Sequence, residues 1–172
     1  WSWSRGLGDV YKRQTMAPMN AYLTIMGIET LALRMEKHVA NAEVVANYLH
    51  NHAKVSWVSY AGLEESNYFH LAKKYLPKGA GSVFTFGIKG GYDAGVKFVE
   101  KCQLLSHLAN IGDTRSLVLH PASTTHRQLT ETQRISAGAG DDVIRLSIGL
   151  ETVEDIIAVS YTHLTLPTSR SV

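Results

Sequence analysis

Arg145 has the residue type and setting best suited to chemistry. It stands in Val143-Ile144-Arg145-Leu146-Ser147-Ile148-Gly149-Leu150, whose alternation predicts a strand. Val143, Arg145, Ser147 and Gly149 fall on one face, and Ile144, Leu146, Ile148 and Leu150 on the other. A guanidinium is permanently charged and forks onto a carboxylate through two parallel N–H bonds. A strand is a rigid mount for such a clamp. The alternative is a solvated arginine on an open sheet face, and the residues alone leave both open. Ser116 is the second candidate. It stands at the entrance to a short apolar strand, Leu117 to His120, where a hydroxyl or a backbone N–H could meet the same ligand. A plain turn serine is the alternative.

Other chemistries find less support. The eight histidines show no metal-ligand spacing, and His50 and His52 are two residues apart, on different sides of a helix. His120 and His126 are separated by the Pro121 turn. Cys102 is the only cysteine, which excludes an intramolecular disulfide and a cysteine-based metal site. Its flank, Phe98 to Leu105, reads as a helix burying an apolar side, so Cys102 is expected to be packed rather than nucleophilic. No serine sits in a nucleophile elbow, and no lysine has a convincing Schiff-base setting. Gly79, Gly81, Gly90 and Gly91 bracket a strand and fit neither phosphate-loop spacing.

The elements that would position these residues read as follows. A long helix is expected over about residues 18–52, with a kink at Gly27. Its apolar positions Ile28, Ala32, Met35, Val39, Ala42, Ala46 and Leu49 alternate by four and three, with Glu36, Lys37, Asn41 and Glu43 on the other sides. A coiled coil is the weaker reading of that stripe, because alanine makes a shallow seam. Val55 to Tyr60 predicts a strand, Glu64 to Leu76 a helix, Ser82 to Ile88 a strand, and Tyr92 to Leu108 a helix. Leu117 to His120 is the third strand. Arg127 to Ser136 is expected to be a helix with Thr125 and Gln128 as a capping box. Val143 to Leu150 is the fourth strand, and a last helix starts after Thr152. The sum is an α/β sandwich, an antiparallel or mixed four-stranded sheet with helices on one face.

The chain has 172 residues, enough for one domain or a piece of a larger protein. No apolar run approaches the roughly 20 residues of a membrane helix. The net charge is +2, but residues 1–14 carry +2 and residues 159–172 carry +1, which leaves −1 for residues 15–158. Neither nucleic acid nor a membrane is therefore expected as a partner. The first segment has neither helical nor strand period, and the last interrupts a helix in mid-pattern. Asp9 to Gln14 can be encoded GAT GTG TAT AAG AGA CAG. The opposite strand, read from its third base, spells Val-Ser-Tyr-Thr-His, the residues from Val159 to His163. Both segments are expected to be non-native, adapter-derived tails around a natural piece, residues 15–158. Recovery of both tails from the source locus with independent primers would refute that expectation.

Three blocks carry a family resemblance. They are Met16 to Leu23 with Gly27 to Leu31 and Arg34 to Glu36, then Gly112 to Leu129, then Ile144 to Glu151. In order, spacing and wording they resemble the C-terminal domain of the cystathionine γ-synthase-like family, pyridoxal-phosphate enzymes of cysteine and methionine metabolism. The wording of Gly112 to Leu129 is most similar to the O-acetylhomoserine sulfhydrylase branch. The resemblance implies the small C-terminal domain of the aspartate-aminotransferase-like, fold-type-I architecture, a cytoplasmic location and a homotetrameric parent. It implies that Arg145 holds the α-carboxylate of an amino-acid substrate and that Ser116 contacts the same carboxylate. It implies pyridoxal 5'-phosphate as electron sink while acetate leaves the γ-carbon and sulfide adds. The family's Schiff-base lysine and phosphate-binding motifs do not occur in this sequence, so this piece alone is expected to be inactive. Cystathionine γ-synthase and methionine γ-lyase chemistry remain the alternatives within the family, and a non-catalytic α/β binding or dimerisation module is the alternative outside it.

Overall fold

The computed structural model describes residues 17–165. In chain order its helices and strands are α1 (Pro18–Glu29), α2 (Leu31–His50), β1 (Val55–Ser59), α3 (Phe69–Tyr75), β2 (Val83–Ile88), α4 (Gly91–Lys101), β3 (Ser106–His107), β4 (Leu117–Leu119), α5 (Glu131–Ser136), β5 (Val143–Ser147) and α6 (Val153–Thr165). A single 3-10 turn spans Pro121–Ser123. The expectation for residues 1–14 lies outside the described residues, as does that for the end of the 159–172 segment; α6 runs through 159–165.

The chain divides into two compact units, residues 1–33 and 34–172. In the first, α1 begins with Pro18 at its first turn and buries none of its residues. The expected single helix over 18–52 is in fact two. The interruption falls at Thr30, with φ −100° and ψ 2°, and not at Gly27. In the second unit, the apolar stripe of α2 closes only from His38 onward, through Asn41, Ala42, Val45, Ala46 and Leu49. Asn41, expected on a polar side, is 1% exposed.

The sheet has five strands among the described residues, in the order β1-β2-β5-β4-β3, and it is mixed. The expected four strands are all present. The fifth, β3, pairs parallel with β4 at the edge, with Ser106 beside Leu117. It lies inside the expected Tyr92–Leu108 helix. That helix ends at Lys101, and Cys102 turns to extended backbone. Leu104 and Leu105 continue the helical spacing in sequence, and no glycine or proline marks the stop. The Ser106 N–H donates to the Ser116 carbonyl at 2.9 Å.

Strand β5 is central, antiparallel to β2 and to β4. Its register places Ile144 beside Phe86, and Leu146 beside both Phe84 and Val118. These residues form one core with Ala42, Val45, Ala46 and Leu49 of α2, Phe98 and Val99 of α4, and Ile156 and Leu164 of α6. The alternation read from the sequence therefore holds over Val143–Ser147, where the strand ends three residues short of the expected Leu150. The Ile/Leu row faces the helices, and Arg145 and Ser147 take the other face beside Thr85, Leu117 and Leu119.

Two further helices differ from expectation. α3 starts at Phe69 rather than Glu64, because Leu63, Ser66 and Phe69 lie in successive turns, with Ser66 N–H to Leu63 O and Phe69 N–H to Ser66 O. Serine and asparagine there compete with the helix for backbone bonds. α5 starts at Glu131, and its capping box is Thr130 and Gln133, not Thr125 and Gln128. Both pairs fit the pattern. The first is unused because residues 121–129 wrap back on themselves, with His126 N–H to Pro121 O at 2.9 Å and Leu129 N–H to His126 O at 3.0 Å. Thr130→Ala should lower stability by about 1 kcal/mol, whereas Thr125→Ala should stay within about 0.5 kcal/mol. Urea unfolding of the two variants checks this.

Cys102 packs against the core, and burial pushes its thiol up to about 12. At pH 8 its alkylation by iodoacetamide should be on the order of 10³-fold slower than that of a free thiol. Timed alkylation followed by mass spectrometry measures it, and a rate like free cysteine would contradict the packed assignment.

Candidate functional site

The site is built on β5, β4 and the segments that lead into and out of them. Arg145 is half-buried in the middle of β5, between Thr85 on β2 and Leu119 on β4. With Leu117, Leu119, Ser147 and the 108–110 segment it lines a narrow crevice with no room for a water molecule. Among the described residues its guanidinium has no ion-pair or hydrogen-bond partner. A guanidinium has the forked donors that a carboxylate can accept.

Ser116 sits differently. It precedes Leu117, which pairs with Ser147, while Arg145 pairs with Leu119. The two candidates are therefore three residues apart along the strand, about 10 Å at the antiparallel rise. Ser116 shares the parity of Val118, which is the helix-side face. It is fully buried, and its hydroxyl accepts from the Gly149 N–H at 2.8 Å. The same hydroxyl donates to Glu151 Oε2 at 2.8 Å, and its backbone N–H donates to Glu151 Oε1 at 2.6 Å. The structure thus joins Ser116 to Gly149 and Glu151, and joins Arg145 to the opposite face of the same strand pair.

The approach to Ser116 is fixed by a tight turn. Gly112 has φ +75°, a conformation that suits glycine. Asp113 Oδ1 accepts from the Arg115 backbone N–H at 3.0 Å and from its Nε at 3.4 Å. Those two bonds, the backbone one first, hold the Asp113 carboxyl below the ordinary carboxylate range.

Sequence reasoning missed three residues around Ser116. Glu151 falls in the third family block and carries no signal of its own in the sequence. His38 and Asn41, buried on α2, reach the far side of the same segment. His38 Nδ1 meets the Ile148 carbonyl at 2.6 Å. Asn41 Nδ2 donates to the Gly149 carbonyl at 3.0 Å and the Glu151 carbonyl at 2.9 Å. The available signal was their spacing. Positions 38, 41, 45 and 49 form one helical stripe, and two of its members are polar.

The run from Ser123 to His126 closes around His120. That ring is fully buried, with Nδ1 2.9 Å from Ser123 Oγ and Nε2 2.9 Å from the Asp141 carbonyl. Thr124 Oγ1 donates to the His120 carbonyl at 2.7 Å. The hydroxyl run is thus local scaffolding for the turn after β4. Among the described residues no group of three or more His, Cys, Asp or Glu could hold a metal ion, and no helix is long and apolar enough to cross a membrane. Every lysine among the described residues is exposed.

Fold and site together define an α/β domain that presents an arginine from the centre of a mixed sheet. The Cys/Met metabolism PLP-dependent enzyme model matches residues 10–159, and the chain belongs to that family. It is 52% identical over 141 residues to a homocysteine synthase of Schizosaccharomyces pombe, covering 82% of this chain and 33% of the relative. It is 46% identical over 153 residues to O-acetyl-L-homoserine sulfhydrylase 1 of Thermus thermophilus, covering 89% and 36%. A crystal structure from Campylobacter jejuni, described as an O-acetylhomoserine (thiol)-lyase and holding N'-pyridoxyl-lysine-5'-monophosphate, superposes with a TM-score of 0.83. It is 43% identical, and the match covers 95% of this chain and 38% of that one. The chain spans about a third of the length of the curated relatives it matches.

Proposed function

We propose that this chain is the small C-terminal domain of an aspartate-aminotransferase-like, fold-type-I enzyme, and that it supplies the substrate α-carboxylate site. The reaction is γ-replacement: homocysteine (or methionine) is made from O-acetylhomoserine and sulfide (or a thiol). The observation that carries this reading is Arg145, half-buried on a central strand and without an acidic partner among the described residues. The names of relatives at 46–52% identity support the choice of substrate.

In this reading Arg145 binds the α-carboxylate through its forked N–H groups. The strand mount fixes the α-C–H bond of the substrate in one direction, which is a positioning contribution. Ser116 contributes a second contact to the same carboxylate through its backbone N–H, since its hydroxyl lies on the face opposite Arg145. Both donors lie on Glu151 at 2.6 and 2.8 Å, so that contact requires Glu151 to release the N–H. The pyridoxal-phosphate anchor is assigned to residues outside this chain, because the family's Schiff-base lysine motif does not occur in this sequence. The family resemblance adds the expectation of a cytoplasmic, homotetrameric intact enzyme whose partner is a small amino-acid substrate rather than nucleic acid or a membrane.

The test is to express the intact enzyme that carries this chain and supply O-acetylhomoserine with sulfide, cysteine or a thiol in turn, and methionine alone. Homocysteine from sulfide supports the reading. Turnover only with cysteine or only with methionine would replace it by cystathionine γ-synthase or methionine γ-lyase chemistry. The 172-residue chain alone, mixed with pyridoxal phosphate and the same substrates, should show no turnover.

A further inference from the structure

We propose that Asn41, supported by His38, is a positioning residue for the carboxylate site, setting the geometry of Ser116 from helix α2 through the Ile148–Glu151 segment. This rests on the α-carboxylate reading given above.

Three side-chain bonds from α2 converge on one short stretch of backbone after β5, which is also held by Ile148 N–H to Ser82 O and Leu150 N–H to Thr114 O. The Asn41 amide is 1% exposed and bridges two carbonyls two residues apart, those of Gly149 and Glu151. An amide nitrogen has two N–H groups, and this one uses both on successive turns of chain. His38, also 1% exposed, holds the carbonyl just upstream at Ile148. A carbonyl can only accept, so the proton is on Nδ1. Nε2 is buried with no hydrogen-bond partner among the described residues. The ring therefore spends its one donor on the segment.

On the other side, the same stretch grips Ser116. The Gly149 N–H donates to the Ser116 hydroxyl, and the Glu151 carboxylate takes both Ser116 donors. Gly149 thus has its carbonyl on Asn41 and its N–H on Ser116. Glu151 likewise has its backbone carbonyl on Asn41 and its side chain on Ser116. A shift of the segment relative to α2 moves both grips on Ser116 at once. Removing the Asn41 amide leaves two buried carbonyls without their donor and frees the segment to shift. The helix stripe would be equally well filled by an apolar residue at 41. An amide there is explained by what it holds.

The test uses two readouts. In the 172-residue chain, amide exchange followed by NMR compares Asn41→Ala with Val44→Ala, an exposed position on the same helix. The Ser116 and Gly149 amides should exchange at least tenfold faster in Asn41→Ala, while the Phe84 and Phe86 amides of β2 keep their rates. Unchanged Ser116 and Gly149 exchange, or uniform acceleration across the sheet, overturns the proposal. If Asn41→Ala does not fold, Asn41→Ser, which restores one donor, carries the same comparison. In the intact enzyme, the variant should raise KM for O-acetylhomoserine about tenfold with kcat within twofold, and Asn41→Ser should recover part of the loss. A fall in kcat with KM unchanged overturns the proposal. The two readings fail separately. If Arg145→Ala leaves KM unchanged, the carboxylate reading falls and the exchange data still decide what Asn41 holds. If Arg145→Ala raises KM but Ser116 exchange ignores Asn41, only the positioning role falls.

Discussion

Arg145→Ala in the intact enzyme is expected to raise KM for O-acetylhomoserine by roughly 30- to 1,000-fold. Truncating one partner of a desolvated, hydrogen-bonded charge pair costs about 2–4 kcal/mol, and each 1.4 kcal/mol is about a factor of ten. Three features place Arg145 toward the upper part of that range. It is half-buried, it stands on the central strand, and the described residues offer it no competing anion. Arg145→Lys should recover only part of the loss, because it keeps the charge and loses the planar fork. The cofactor absorbance should change far less than KM, since Arg145 is assigned to the substrate. Steady-state kinetics with O-acetylhomoserine varied and sulfide saturating measures the effect, and an unchanged KM would remove Arg145 from the site.

Gly149→Ala is expected to be the most damaging single methyl group near the site, destabilising the domain by about 2–3 kcal/mol. An added Cβ would lie 2.5 Å from the Arg115 carbonyl carbon, the Ser116 nitrogen and the Glu151 Oε2. Two of those neighbours are backbone atoms and cannot swing away as a side-chain end can. Relief requires β4's entrance and the segment after β5 to move apart, and that breaks the Gly149 N–H to Ser116 bond. Gly27→Ala is the matched control, because nothing lies within 4 Å of its added Cβ. In a helix interior it should stabilise α1 by roughly 0.5–1 kcal/mol. Chemical unfolding of both variants measures the difference. Equal midpoints would show that the contact around Gly149 is slack.

Much of the scaffold was legible in the sequence because its signals are local. The alternation from Val143 to Leu150 gave the central strand and the correct face for Arg145, since side chains in a strand alternate without exception while the strand stays regular. Glycine and proline punctuation gave β1, β2 and β4 to within a residue or two. What was not legible depended on distant partners. β3 was hidden inside a helical pattern because Leu104 and Leu105 keep helical spacing, while the edge it pairs with lies ten residues on. Thr125 and Thr130 offer the same capping box, and only the wrap of residues 121–129 around His120 decides between them.

The site divides in the same way. Arg145 could be singled out because a charge in an apolar alternation is visible locally. Ser116 could be singled out by position, but not its partners. Glu151 is 35 residues away in sequence and Asn41 lies 108 residues from Gly149. No periodicity reports a bond between a helix side chain and the backbone of a strand so far along the chain. Two polar residues at stripe positions of α2 were the one trace, and a pattern of apolar spacing passes over them.

The most direct test of the central claim is a cycle of four KM values. The intact enzyme and its Arg145→Ala variant are each assayed with O-acetylhomoserine and with its α-carboxamide, which lacks the negative charge. If Arg145 holds the α-carboxylate, the carboxamide costs the unaltered enzyme roughly the same 30- to 1,000-fold as the substitution does. In the variant the carboxamide should then cost almost nothing further, because the partner of the lost charge is already gone. Losses that simply multiply would show that Arg145 and the α-carboxylate do not meet.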